Sequence, residues 1–259
     1  MKLLLPRQLK LTPARTAKIA RYAPLVRGGE RYAPISLQVA LTDACFNRCI
    51  GCGHPDREQR TMSFLDWISF LDSLPVLPES VCYSGGDPMA YGNFNEVMVW
   101  HKTNGVKFGC TITGYVPKRI NLEFLSWAEW IRCSLDALDP DVYAKVRGRT
   151  PLSKVLKSID DMLAAGVNVE LGITLHPDNE MELPALKAYA EKKGITELFI
   201  HYAYPQSNPR WEDVDMAGRG VMPFETCSAV LHQLYIDSDG GVYPCCITAG
   251  DTRASAQSN

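Results

Sequence analysis

From residue 36 to residue 204, apolar runs of strand length alternate with stretches of helical spacing. No other feature constrains the fold of this 259-residue chain as strongly. SLQVALT (36–42), SVCYSGG (80–86), KFGCTITG (107–114), WIRCSLDA (130–137), NVELGITL (168–175) and ELFIHYAY (197–204) read as strands. MSFLDWISFLDSL (62–74) reads as a helix, with Phe64, Leu65, Ile68 and Leu71 at helical spacing. Further helices are expected through FNEVMVWHKTNG, LPALKAYAEKKG and PLSKVLKSIDDMLAAG (151–166), where Gly166 is the stop signal. Six βα-type units in succession predict an α/β fold with parallel strands and right-handed crossovers. They either begin to close into a partial TIM-like barrel or lie open as a doubly wound sheet. Both arrangements put an active site at the carboxyl ends of the strands. The loop after the first strand, GGDP after the second and SLD on the fourth all fall there.

The loop TDACFNRCIGCGH (42–54) holds Cys45, Cys49 and Cys52 within eight residues. Nine cysteines, an odd number, argue for metal ligands and core thiols rather than a disulfide framework. Two metal chemistries fit the loop. A structural zinc site needs four protein ligands, with His54 the available fourth, although Cys52-Gly53-His54 is cramped for two ligands of one ion. An iron–sulfur cluster held by three thiolates keeps one iron open to a substrate or cofactor.

Cys-x-x-x-Cys-x-x-Cys directly after a first strand resembles the cluster motif of the radical S-adenosylmethionine superfamily. The resemblance implies a [4Fe-4S] cluster on Cys45, Cys49 and Cys52, with S-adenosylmethionine on the fourth iron. YSGGDP (83–88) resembles the superfamily's GGE-type motif. It implies cofactor contacts from Ser84, Gly85, Gly86 and Asp87, where glycine admits the main chain close to a ligand. CSLDALDPDVYAKVRG (133–148) resembles the fourth-strand segment, with Ser134 and Asp136 near the ribose or substrate and Arg147 near the methionine carboxylate. GITLHPDN (172–179) resembles the fifth-strand region and adds Thr174 and Asn179. The backbone from His201 to Ala203 on the sixth strand is expected beside the adenine. Gly51 stands where the superfamily often has an aromatic residue, which leaves adenine contact to backbone, Ile50 or Tyr202. The resemblance covers about residues 36–204 and implies a partial TIM-like (β/α)6 barrel with a short C-terminal β-hairpin extension.

After residue 204 the pattern changes. PQSNPRWEDVDMAGRGVMPFET reads as a loop or lid, with Trp211 placed to close the cavity. AVLHQLYIDSDGGVYPCC reads as a hairpin turning at Asp239-Gly240-Gly241, followed by a small polar tail expected to be disordered. Cys227, Gly240 and Cys245 resemble the opening of SPASM and shorter Twitch extensions, whose later cysteines are missing here. Cys227, Cys245 and Cys246 are therefore candidate ligands to a second iron–sulfur cluster or a degenerate remnant. Cys246 is also a candidate hydrogen-atom donor to a substrate radical. Cys82, Cys110 and Cys133 lie in three different strands and read as core thiols.

The net charge of −2 points to no charged partner. Residues 1–31, however, hold eight Lys and Arg against Glu30 alone. This basic arm, taken as residues 1–35, either meets phosphate or an acidic peptide or is a solvated helix face, which the pattern favours. No segment has the ~20 apolar residues of a membrane span, and the opening MKLLLPRQLK is too short in apolar residues for a signal peptide. A cytoplasmic protein is expected. Residues 36–204 would form the barrel and 205–259 the lid and hairpin.

The resemblance thus implies an enzyme that cleaves S-adenosylmethionine reductively, with electrons from a flavodoxin- or ferredoxin-type donor. Its substrate is a peptide or protein, which suits the basic arm, or a small molecule such as a sugar or cyclitol in a dehydrogenase or epimerase reaction. Nucleic acid and membrane partners are not expected. Two rivals belong to other classes: a zinc-stabilised binding module and a plain electron carrier.

Overall fold

A computed structural model describes residues 34–50, 52, 59–202 and 233–243. Residues 1–33 of the basic arm, Gly51, His54, Ala203, the 205–225 loop with Trp211, Cys227, Cys245, Cys246 and the polar tail lie outside the described residues.

The apolar runs form strands, and the first five of them are largely buried, as expected of parallel strands covered on both faces. They are β1 (Ser36–Ala40), β2 (Ser80–Ser84), β3 (Lys107–Ile112), β4 (Trp130–Ser134), β5 (Val169–Leu175) and β6 (Leu198–Tyr202). In chain order they lie side by side, each parallel to the next. A doubly wound sheet needs a reversal of strand order among these six, so the uninterrupted sequence selects the partial-barrel winding.

Two further strands, β7 (Gln233–Ile236) and β8 (Val242–Tyr243), form the expected hairpin, antiparallel to each other. Its placement is new. β7 runs parallel to β1 on the edge β2 leaves free, with Ser36 opposite Gln233 and Val39 opposite Ile236. The hairpin therefore extends the main sheet to eight strands in the order β6-β5-β4-β3-β2-β1-β7-β8. Because β7 is parallel to β1, its turn emerges at the same end of the sheet as the cysteine loop.

The helices are α1 (Phe64–Ser73), α2 (Phe94–Asn104), α3 (Leu122–Leu125), α4 (Pro140–Arg147), α5 (Leu152–Ala164) and α6 (Leu183–Lys193). Ser63 caps α1 by accepting a hydrogen bond from the Asp66 amide. α5 buries Val155, Ile159 and Met162 at i, i+4 and i+7, and α1 buries Trp67 and Leu71. These side chains meet Leu37, Val81, Phe108, Ile131, Leu171 and Ile173 of the sheet in one continuous core.

α4, which the sequence reading did not assign, begins with Asp139 as N-cap to Asp141 and Val142 and proline at its first turn. It buries Tyr143, Val146 and Arg147, and so points an arginine inward.

Cys82, Cys110 and Cys133 are buried in the sheet as core thiols and form no disulfide among the described residues. A polar pair is buried with them. His101 lies 2.9 Å by Nδ1 from the Val106 carbonyl and 2.6 Å by Nε2 from the Tyr83 hydroxyl. Donation from Nδ1 to the carbonyl makes Nε2 the acceptor for tyrosine, so the ring is neutral.

Candidate functional site

The carboxyl ends of β1 to β5 surround a cavity of about 550 Å³. Its first wall is the cysteine loop, whose base is pinched shut. The Asp43 amide donates to Arg60 O at 2.9 Å, the Met62 amide to Leu41 O at 2.9 Å, and the Thr42 and Thr61 hydroxyls meet at 2.8 Å.

The end of β2 holds the loop from beneath. The Gly86 amide donates to Thr42 O at 2.9 Å and the Asp87 amide to Ala44 O at 2.7 Å. This approach requires glycine twice. A Cβ on Gly85, which has φ +98°, would lie 2.4 Å from Ala40 Cβ; one on Gly86 would lie 2.3 Å from Ala44 O.

The end of α4 grips the other side of the loop. The Arg48 and Ile50 amides donate to the Arg147 and Val146 carbonyls at 3.2 and 3.1 Å. The Thr150 amide donates to Asn47 Oδ1 at 3.0 Å, and its hydroxyl to Phe46 O at 3.2 Å.

Cys45, Cys49 and Cys52 all line the cavity. Burial, reinforced by Asp87, pushes the Cys45 thiol up to about 12. Burial also raises Cys49, although Arg147 opposes the rise. Both are thiols until a metal takes the proton's place. Among the described residues, no three His, Cys, Asp or Glu side chains already converge at ligand distance.

The opposite wall is polar. Arg147 donates from Nη1 to Asp136 Oδ2 at 3.1 Å, and Asp136 Oδ1 accepts the Thr174 amide at 2.8 Å. Both side chains are nearly buried. Arg147 Nε has no hydrogen-bond partner among the described residues. Burial disfavours its charge, yet Cys49 and Asp136 together leave its pKa raised.

Of the residues singled out in the sequence, Ser84, Gly85, Gly86, Ser134, Asp136, Arg147 and Thr174 line this cavity with the cysteines. Three do not. Asp87 is fully buried, and its carboxylate accepts from the Met89 amide and from the Thr113 amide and hydroxyl. It anchors the glycine turn, and burial raises its pKa. Asn179 is buried as well. Its amide group donates to the Asp136 and Thr174 carbonyls and accepts from the His176 amide, so it braces the polar wall from behind. Tyr202, at the end of the edge strand β6, is 45% exposed and does not line the cavity.

The sequence reading missed Asp43, Asn47, Arg48, Thr111, Thr113, Arg149 and His176. All seven line the cavity. Thr111 and Thr113 carried a signal, as polar residues closing an otherwise apolar strand. Asn47 carried none, since its partner Thr150 lies 103 residues away.

Comparison with known proteins places these features. The model of the Radical SAM superfamily matches residues 39–190. A GTP 3',8-cyclase of Nautilia profundicola is 24% identical over 184 residues, covering 65% of this chain and 58% of that protein. The chain spans little more than half the length of the curated relatives it matches. Among solved structures, Streptococcus suis SuiB bound to S-adenosylmethionine superposes with a TM-score of 0.72 at 18% identity, covering 96% of this chain and 70% of that one. SuiB bound to its precursor peptide SuiA gives the same TM-score at 16% identity, over 95% and 68%.

Proposed function

The chain belongs to the radical SAM superfamily, and we propose that it uses a [4Fe-4S] cluster and S-adenosylmethionine to modify a peptide substrate. The family implies both groups, and the residues present fit them. Three soft thiol donors lie on one cavity wall, the donor type iron–sulfur clusters take. A glycine pair opens the main chain beside them, and the unpartnered Nε of Arg147 offers a buried cationic donor to an anionic cofactor group. Cys45, Cys49 and Cys52 would hold the cluster, and Gly85, Gly86 and Arg147 the amino-acid end of the cofactor. Ser134, Asp136 and Thr174 would face the rest of it.

When bound, the pair supplies a carbon radical that removes a hydrogen atom from the substrate, with the electron coming from an external donor of flavodoxin or ferredoxin type. The chain's own contribution is geometric and electrostatic. Asp136 holds Arg147 in place, and Asn179 fixes the strand end that carries Thr174.

The observation that carries the reading is the meeting of the three cysteines and the glycine pair on one cavity at the ends of β1 and β2. A peptide substrate is supported by the likeness of fold to SuiB, which extends beyond the residues the family model matches. A second reading, a small anionic substrate such as a nucleotide, is favoured by Arg48, Arg147 and Arg149 on the same cavity.

The test is anaerobic reconstitution with iron and sulfide, followed by iron counting and assay of 5′-deoxyadenosine with dithionite. The reading expects at least about four irons, 5′-deoxyadenosine formation, and loss of both in Cys49→Ala. Stoichiometric zinc with no cleavage product would overturn it. Stimulation by a peptide pool and not by GTP supports the first substrate class, and the reverse supports the second.

A further inference from the structure

We propose that the turn of the C-terminal hairpin is a working part of the cysteine-loop site, acting through a carboxylate–guanidinium knot centred on Asp43 and Arg60. The proposal rests on the reading that this loop holds the cluster. Asp43 lies two residues before Cys45, and its side chain is fully buried. Its Oδ1 accepts from the hydroxyl of Ser238, 195 residues away, at 2.9 Å. Its Oδ2 accepts from Arg60 Nε at 3.3 Å.

Arg60 stands at the far end of the same loop and reaches on into the hairpin. Its Nη1 donates to Asp239 Oδ2 at 2.5 Å, and Nη2 lies 3.9 Å from Asp237 Oδ2. The two ends of the cysteine loop and the hairpin turn are thereby joined through one guanidinium group.

The turn is stiff enough to act as an anchor. The Asp237 amide donates to Gly241 O, the Gly240 amide to Asp237 O, and the Gly241 amide to Asp239 Oδ1. Asp237 Oδ1 also accepts from Tyr235 Oη and from the Ser238 amide. Parallel pairing of β7 with β1 is what brings this turn to the loop.

Arg60 faces all three carboxylates, with Asp43 at 3.3 Å, Asp237 at 3.9 Å and Asp239 at 2.5 Å. Ser238 and Arg60 are therefore positioning residues with two separable effects. Their hydrogen bonds hold the loop base closed, and the guanidinium offsets carboxylates beside the cysteines.

Amide hydrogen exchange on the metal-free chain tests the first effect. Ser238→Ala and Arg60→Met should each speed exchange at the Asp43, Met62 and Gly86 amides by about tenfold, the value of one hydrogen bond to a charged group. Exchange in β3 and β4 should not change. The midpoint potential of the reconstituted protein tests the second. Arg60→Met should make the cluster harder to reduce, while Arg60→Lys, which keeps the charge but not the fork, should restore the potential and leave exchange fast. Loop exchange unchanged in Ser238→Ala, whose single lost hydroxyl spares the fold, would overturn the coupling. An unmoved potential in Arg60→Met would overturn the electrostatic role. A wild-type chain that takes up no iron would refute the cluster reading instead, and the exchange result would still decide whether the hairpin holds the loop.

Discussion

Gly86→Ala should separate the cysteine loop from the strand end that supports it. The added Cβ would lie 2.3 Å from Ala44 O and 2.6 Å from both the carbon and the oxygen of the Asp43 carbonyl. All three atoms are backbone, so no side-chain rotation relieves the clash. Loop and turn must part by about 1 Å to reach ordinary contact. The two hydrogen bonds that join them, Gly86 amide to Thr42 O and Asp87 amide to Ala44 O, stretch in the same movement. Each is worth about 1 kcal/mol and overpacking adds about 1–3 kcal/mol, so the expected loss is roughly 3–5 kcal/mol. Urea unfolding of the metal-free chain measures it, with Gly92→Ala as the control, since a Cβ there meets nothing within 4 Å. The reconstituted variant should also bind S-adenosylmethionine at least about tenfold more weakly, because the backbone beside the cysteines has moved. If Gly86→Ala unfolds within about 0.5 kcal/mol of the control and loads iron equally well, the close approach is not what holds the loop.

Arg147→Met leaves Asp136 buried without its ion partner and should cost about 3–5 kcal/mol in urea unfolding. Adding Asp136→Asn to that variant should recover a large part of the loss, whereas additive losses would refute a direct pairing. Burial lowers His101 from 6.5 to about 4, so the unfolded chain binds the extra proton between those values and stability falls as pH drops through that window. The wild type should lose about 3 kcal/mol between pH 7 and pH 4 that His101→Phe does not lose. Taking the difference between the two proteins cancels the other titrating groups.

The fold was legible wherever a local pattern carries it. All six parallel strands fall inside the apolar runs, and for β1 to β5 the reason is that strands covered on both faces need continuous apolar sequence. The run through Gly86 ends at Ser84 because Gly85 turns the chain with φ +98°. The pairing of β7 with β1 was not legible, since partners almost 200 residues apart leave no local trace. α4 escaped because it is eight residues long and turns an arginine inward, which blurs its apolar stripe. The site divides the same way. Cysteine spacing and paired glycines announce chemistry by residue type alone. Asp87 shows the opposite case: an Asp followed by Pro is also the signature of an N-cap with proline in the first turn, and that is what it forms before Pro88. Asn179 likewise serves the backbone of its own loop rather than the cavity.

The way the loop is held bears on what metal would do here. In a zinc-stabilised module the ion supplies the folding energy, and the chain is unfolded without it. In this chain the core runs unbroken from α1 through the sheet to α6 and includes none of the three loop cysteines. The loop sits on top of it, held by β2 from below, by α4 from one side and by Arg60 with the hairpin turn at its base. Among its described residues the backbone is held by hydrogen bonds the protein makes by itself, and the thiols do not converge at ligand distance. On the proposed reading the metal serves chemistry, so its removal should leave urea unfolding of the core unchanged, whereas a zinc-stabilised module would unfold without it.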